Sequence, residues 1–126
     1  MDMKFYRCAK CGKMVAMVKN SPCPTMCCGD EMQEMKAGTS DGAAEKHVPV
    51  VNVDGQNVTV DVGSVAHPMQ EEHWIQWIAL ETKQGMQRKV LNPSDAPKAS
   101  FALTADDAPV AVYEYCNLHG LWKTDL

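Results

Sequence analysis

The residues most able to do chemistry near the N-terminus are thiols. The chain has 6 cysteines, and five of them lie between Cys8 and Cys28. Cys8-x-x-Cys11-Gly12 has the spacing of a metal knuckle, in which the chain loops around one ion and the glycine relieves the tight turn. A second pair of ligands must come from the remaining three: Cys23, Cys27 and Cys28. Four thiolates suit zinc or iron, and spacing alone leaves open both the metal and the second pair.

Imidazoles and one further thiol are found only in the rest of the chain. Each lies beside turn residues or strand ends: His47, His67, His73, Cys116 and His119. Five nitrogen and sulfur ligands exceed the four of ordinary tetrahedral zinc. They suit an iron ion that takes a sixth ligand from solution, and a thiolate ligand favours conversion of a bound dioxygen species to peroxide. We therefore predict a second, redox-active iron site with an open coordination position.

Two charged residues precede the first histidine of this set. In Glu45-Lys46-His47 the lysine can guide a small anion to the site, and the glutamate can close it. Most such neighbouring charges are only solvated surface groups, so the pair by itself assigns neither role.

The overall charge and the termini restrict the function classes. Lys plus Arg total 12 and Asp plus Glu total 16, so the formal net charge is −4, which argues against non-specific nucleic-acid binding. No apolar run is long enough to cross a bilayer, and the N-terminus lacks the apolar segment of a secretory signal. We therefore expect a cytoplasmic protein, in which crowded thiols indicate metal binding before disulfides.

The elements that must position these ligands fall into two parts. Residues 1–36 are too few to bury a useful core, so a metal is expected to supply much of their folding free energy. The small polar segment 37–44 predicts a linker. Residues 45–126 contain short β-like runs at 47–53, 57–62, 74–82, 86–92, 99–104 and 110–115. The 74–82 run would also suit a helix, but we predict a strand, and the whole pattern predicts an all-β sandwich or barrel.

Longer stretches of the sequence resemble desulfoferrodoxin, the two-iron form of superoxide reductase. The resemblance covers essentially the whole chain and is carried by FYRCAKCG, CCG, DGAAEKHVPV, VGSVAHPMQEEHWIQWI and YCNLHGLWK. It implies a mostly β chain, with a small desulforedoxin-like module followed by an immunoglobulin-like β-sandwich. It also implies a homodimer in the cytoplasm of an anaerobe or microaerophile.

The same resemblance implies two mononuclear iron sites. The first iron is expected on four thiolates: Cys8, Cys11, Cys27 and Cys28. The second, catalytic iron is expected on four equatorial imidazoles and one axial thiolate: His47, His67, His73, His119 and Cys116. Glu45 matches a glutamate that binds the oxidised iron, and Lys46 matches a lysine that assists superoxide binding. Cys23 lies outside the family pattern, and we interpret it as a bystander.

The implied activity is the one-electron reduction of superoxide to hydrogen peroxide without release of oxygen, with the iron re-reduced by a rubredoxin-like donor. Three alternatives explain less of the sequence. A rubredoxin-class electron carrier leaves the histidines unused. A zinc-stapled β-domain for partner binding would be colourless. A non-haem iron oxygenase uses two histidines and one carboxylate, and no such set stands out.

Overall fold

The computed structural model describes residues 3–126. The chain forms two compact units, Met1–Lys36 and Ala37–Leu126, so residues 37–44 belong to the second unit. The prediction of a mostly β chain is confirmed, because the described residues form twelve strands and one four-residue helix. None of the helical structure in residues 3–126 is long and apolar enough to cross a membrane.

The first unit consists of two very small antiparallel sheets. Its strands are β1 (Phe5–Arg7), β2 (Met14–Ala16), β3 (Met26–Cys27), β4 (Asp30–Glu31) and β5 (Gln33–Glu34). β1 lies between β2 and β5, and β3 pairs with β4 as a hairpin. The unit contributes few residues to the buried apolar set: Phe5, Cys8 and Met32. So little apolar burial is typical of a module that a metal must staple together.

The second unit is a β-sandwich preceded by one helical turn. Its elements are α1 (Ala44–His47), β6 (Pro49–Asp54), β7 (Asn57–Val62), β8 (Ile75–Thr82), β9 (Gly85–Val90), β10 (Lys98–Ala102), β11 (Pro109–Cys116) and β12 (Gly120–Asp125). One antiparallel sheet has the order β10-β7-β6, and the other has the order β12-β11-β8-β9. This seven-strand division confirms the predicted immunoglobulin-like sandwich.

The core between the two sheets follows from alternation along the strands. β7 has a strict exposed–buried pattern that turns Val58, Val60 and Val62 inward. β8 and β11 supply the opposing layer with residues that include Ile78 and Val112. Full burial of each such side chain contributes about 1.5–3 kcal/mol to the stability of the fold. This core therefore keeps rigid the strand ends that carry the second site.

Two local features differ from the sequence prediction. His47 was predicted to begin a strand, but it ends helix α1, and β6 begins at Pro49. The last strand, β12, was not predicted, because its residues LWKTD do not alternate between apolar and polar types. It is a strand because it pairs with β11 from Gly120 to Asp125. The run at 74–82, ambiguous in sequence, is the strand β8, as predicted.

Candidate metal centres

The first candidate centre brings four of the five N-terminal thiols together. The sulfur atoms of this thiol cluster all lie within 4.8 Å of one another: Cys8, Cys11, Cys27 and Cys28. The Cys11 and Cys27 sulfurs are 3.7 Å apart, and the Cys27 and Cys28 sulfurs are 3.9 Å apart. Tetrahedral zinc or iron with metal–sulfur bonds of about 2.3 Å requires sulfur separations of about this size. Cys23 is exposed and is not a member of the cluster.

Two turns explain how the chain presents these thiols. The knuckle is closed by the Gly12 amide, which donates to the Cys8 carbonyl at 2.9 Å, and Gly12 has a φ of 79°. The second pair lies at the β3–β4 hairpin, where Cys28 and Gly29 have φ values of 53° and 78°. Two consecutive positive φ values are typical of a type I′ turn. This turn lets adjacent cysteines, one ending a strand and one in the loop, reach the same point.

The electrostatics of the thiol cluster suit a cation. The backbone amide of Cys11 donates toward the Cys8 sulfur, 3.5 Å away, and lowers the pKa of Cys8 to about 6. Hydrogen bonding with the Cys11 thiol raises the pKa of Cys28 to about 12. One thiolate therefore forms readily, whereas the Cys27 and Cys28 sulfurs, whose pKa values are raised, keep their protons unless a positive ion neutralises the charge.

The second candidate centre lies at one end of the sandwich. Strand register places Val62 opposite Pro49 in one sheet, and Cys116 opposite both Ile75 and Gly120 in the other. The segments between these strand ends carry the predicted ligands. His47 precedes β6, the β7–β8 connection carries His67 and His73, and the β11–β12 hairpin carries His119 beside Cys116 at the end of β11.

Four of the five predicted donors form the tightest group. Their ligand atoms lie within 4.8 Å of one another: His47, His67, His73 and Cys116. The Nε2 atoms of His47 and His67 are 3.2 Å apart. The Nε2 atom of His73 is buried and has no hydrogen-bond partner in the described part of the chain. A buried nitrogen without a partner is costly unless it binds something, and a metal ion is the partner that fits this donor set.

The fifth predicted donor lies beside this group. The His119 ring is 4.9 Å from the His47 ring and 5.1 Å from the His73 ring, centroid to centroid. His67 completes the cycle, with centroid distances of 4.7 Å to His47 and 4.6 Å to His73. The four imidazoles therefore form a closed ring in which neighbours meet edge to face. His119 is not a member of the group whose donor atoms all lie within 4.8 Å of one another. The Nδ1 atom of His119 is 2.7 Å from the Asp41 carbonyl oxygen.

Backbone carbonyls lie at hydrogen-bond distance from three of the rings, those of His47 and His67 as well as that of His119. The Nδ1 of His47 is 2.7 Å from the Ala43 carbonyl oxygen, and the Nδ1 of His67 is 2.6 Å from that of Pro68. An Nδ1–H that donates to a carbonyl leaves Nε2 unprotonated, with its lone pair free for a metal. Burial lowers the pKa of both rings, to about 4 for His67, so both remain neutral at pH 7.

Cys116 supplies the sulfur of the second centre from the interior. Its side chain is fully buried at the end of β11. Burial raises the pKa of this thiol, although the amides of Leu118 and His119 donate toward the sulfur and oppose that effect. A cation is therefore needed to hold the sulfur as a thiolate, which is the form that ligates.

Glu45 and Lys46 are exposed residues of α1, next to the buried His47. The Glu45 backbone is anchored, since its carbonyl accepts the Val65 amide at 2.8 Å and the Ser64 hydroxyl at 3.2 Å. Burial is the main cause of the lowered pKa of His73, and the charges of His119 and then Lys46 lower it further, whereas Glu72 opposes them. The Lys46 charge therefore acts on the ring cluster from the exposed side.

Some supporting groups were not found from the sequence. Trp122 stacks on His47 with ring centroids 4.9 Å apart, and its indole N–H donates to the His119 carbonyl at 3.0 Å. The Asn117 side chain bonds to the backbone on both sides of His73. Carbonyl partners have no signature in residue type, but an asparagine inside a Cys-x-x-His hairpin could have been noticed.

A β-sandwich with four imidazoles and a thiol at one end, joined to a four-thiol module, defines a class of protein with two chemically distinct metal-binding sites. A family model described as desulfoferrodoxin matches residues 39–125. A desulfoferrodoxin from Nitratidesulfovibrio vulgaris is 48% identical over 122 residues, which are 97% of this chain and 95% of that protein. This chain belongs to the desulfoferrodoxin family.

Relatives named for an activity are also similar to this chain. A solved superoxide reductase from Treponema pallidum superposes with a TM-score of 0.83 at 42% identity, covering 99% of this chain and 100% of that one. A one-iron superoxide reductase from Giardia intestinalis has a TM-score of 0.53 at 32% identity, covering 65% of this chain and 97% of that one. A superoxide reductase from Pyrococcus horikoshii is 32% identical over 105 residues, which are 70% of this chain and 91% of that protein.

Proposed function

We propose that this chain is a superoxide reductase, which reduces superoxide to hydrogen peroxide at an iron site formed by four imidazoles and one thiolate. The closed ring of four histidines with the Cys116 thiol is the observation that carries the proposal. We assign the ligands as His47, His67, His73, His119 and Cys116. These residues would hold ferrous iron, which would supply the single electron of the reaction.

The chain's own residues then have three tasks. The neutral imidazoles of His47 and His67, held by carbonyls at Nδ1, keep their Nε2 lone pairs directed at one point. The Cys116 thiolate donates electron density from the side of the core. The charged side chains on α1 are exposed beside the buried His47, where Lys46 would attract the anionic substrate and Glu45 would offer a carboxylate to the oxidised iron.

Lys46 matters because the whole chain carries a formal charge of −4 and so repels an anion. A unit charge about 6 Å from the bound anion attracts it by about 0.7 kcal/mol in water and about 3 kcal/mol at an effective dielectric near 20. This range corresponds to an about 3- to 100-fold faster capture at low salt.

The reaction itself requires an outside reductant. Superoxide gains one electron and two protons to become hydrogen peroxide, so each turnover removes one electron from the protein. We assign its replacement to a rubredoxin-like donor. We further propose that residues 1–36 hold a second iron on Cys8, Cys11, Cys27 and Cys28, that residues 45–126 hold the catalytic domain beyond the 37–44 segment, and that the protein works as a cytoplasmic homodimer.

The product ratio tests the activity directly. The reduced protein, loaded with iron and kept in molar excess over the superoxide supplied, is exposed to a known flux of superoxide, and hydrogen peroxide and oxygen are both measured. Reduction yields one peroxide for every superoxide consumed and no oxygen. A dismutase would instead release one oxygen for every two superoxide anions, and that ratio would refute the proposal.

The role of Lys46 is tested by charge. Lys46→Gln is expected to slow superoxide capture by about 3- to 100-fold and to weaken its salt dependence, whereas Lys46→Arg should retain most of the rate. Lys89→Gln removes the same charge from an exposed position on β9 and serves as the control. Equal rates for Lys46→Gln and Lys89→Gln would exclude Lys46 from substrate capture.

A further inference from the structure

The loop that carries His73 differs from those that carry His47 and His67. In those two residues a ring nitrogen is held by a carbonyl at 2.7 and 2.6 Å. For His73, no ring-to-carbonyl hydrogen bond is found among residues 3–126, and its Nε2 has no partner. The direction of this ring must therefore be determined through its backbone.

Asn117 holds that backbone on both sides of the histidine. Its Oδ1 accepts the Trp74 amide at 2.9 Å, and its Nδ2 donates to the Glu72 carbonyl at 3.0 Å. Its own amide donates to the Trp74 carbonyl at 3.3 Å. One side-chain amide thus satisfies the residue before His73 and the residue after it, and only a group with a donor and an acceptor side by side can do so.

The position of Asn117 in the chain connects these two side-chain hydrogen bonds to the metal ligands. It directly follows Cys116 and shares the short β11–β12 hairpin loop with His119. The other side of the His73 turn is closed by reciprocal backbone bonds with Gln70 at 2.9 and 3.0 Å. The Asn117 side-chain amide therefore ties the loop that carries His73 to the loop that directly follows Cys116.

We infer that Asn117 is a positioning residue that holds His73 in register with Cys116, so that a metal ion meets both donors at once. This inference deepens the proposed function and rests on the second centre being a metal site. Loss of a group that orients a metal ligand through outer hydrogen bonds typically lowers metal affinity about 10- to 100-fold. We expect a loss of metal affinity of that size at the second centre when the Asn117 side-chain hydrogen bonds are removed.

The test uses the full-length protein loaded with Co²⁺ and then challenged with a chelator. Asn117→Ala removes both side-chain bonds. Asn117→Asp keeps an acceptor for the Trp74 amide but places a carboxylate oxygen against the Glu72 carbonyl. Asn52→Asp introduces the same charge at an exposed position on β6 and is the matched control. Cobalt content and the visible spectrum are followed with time.

Both Asn117 variants are expected to release the ion of the imidazole–thiolate centre about 10- to 100-fold faster than the parent and Asn52→Asp. The ion on the four thiols should stay and the far-ultraviolet circular dichroism should match that of the parent, which shows that the β-sandwich remains folded, and the cobalt bands of the second centre should shift before release. Release within about twofold of the parent rate with unchanged bands would overturn the inference. Simultaneous loss of both ions and of the fold would also overturn it, because Asn117 would then be a structural residue.

The hydrogen peroxide yield of the iron-loaded parent protein is measured in parallel. A parent that binds two ions but does not reduce superoxide would contradict the proposed function and leave the Asn117 result standing. A parent that reduces superoxide normally, with Asn117 variants that hold their metal, would contradict the inference alone.

Discussion

Glu114 allows a quantitative prediction, because it is an acid without a partner inside the core. The side chain is fully buried on β11, and neither carboxylate oxygen has a hydrogen-bond partner among the described residues. Burial raises its pKa from the ordinary 4.5 to about 9, so the folded protein carries the neutral acid at pH 7. The unfolded chain loses that proton, which favours unfolding.

The size of the effect follows from linkage. Each pH unit between the unfolded pKa and the working pH costs about 1.4 kcal/mol. At pH 7 the folded state is therefore about 3 kcal/mol less stable than it would be with a group of the same shape that does not titrate. A cation in the neighbouring centre favours the ionised carboxylate, so this figure is an upper limit for the metal-loaded protein. The sign is that of a raised pKa: stability is full below pH 4.5 and falls as the pH rises toward 9.

Glu114→Gln tests this reasoning, because glutamine resembles the neutral acid in size and does not titrate. Free energies of unfolding are measured with urea between pH 4.5 and 8, for parent and variant holding the same metal. The two should be nearly equal at pH 4.5, and the variant should gain up to about 3 kcal/mol by pH 7. A difference that does not change between pH 4.5 and 8 would show that the carboxyl is already ionised in the folded protein.

The remaining predictions concern the second centre. Gly42→Ala should weaken metal binding or cost about 1–3 kcal/mol, because an added Cβ would lie 3.1 Å from His47 Cε1 and 3.2 Å from both His119 Cβ and Trp122 Cζ2; Gly85→Ala, where the added Cβ meets nothing within 4 Å, is the control for a urea titration. Acid should release the metal nearer pH 4 than pH 6.5, because burial holds the pKa of His67 at about 4 and protons compete weakly for that ring; metal content after desalting at each pH gives the midpoint, and a midpoint at or above 6.5 would contradict this.

The sequence predicted the strands best where the pattern was local. Alternation in 57–62 matches β7 residue for residue, because one face of that strand is buried and the other is in water. β12 was not predicted because its own residues lack an alternating pattern. It is a strand because its backbone pairs with β11. Helix α1 was also not predicted. It has only four residues, Ala44–His47, and the Val-rich run that directly follows it made the whole region look like a strand.

The ligand types could be predicted from the sequence, but the groups that orient them could not. Imidazole and thiol are recognisable as metal ligands wherever they occur, and so the two clusters were expected. The carbonyls of Ala43 and Pro68 that hold two of the rings belong to the backbone, and any residue could supply them. Their role depends on tertiary structure, which determines where the residue 42–48 and 67–68 segments meet the strand ends.

The two centres differ in predictability for a physical reason. The thiol cluster is made by two turns, each with its own signal in the sequence: a glycine after the knuckle and a Cys-Gly pair in a two-residue hairpin. The imidazole centre depends on register between strands far apart in the chain, since Cys116 meets Ile75 and Gly120 only if β8, β11 and β12 are correctly paired. A shift of one residue in β11 would turn Cys116 out of the core and Tyr115 into it. The second centre therefore depends on the apolar core that fixes this register as much as on its ligands. Glu114, two residues before Cys116 on β11, lowers the stability of that core because its carboxyl is buried without a partner among the described residues.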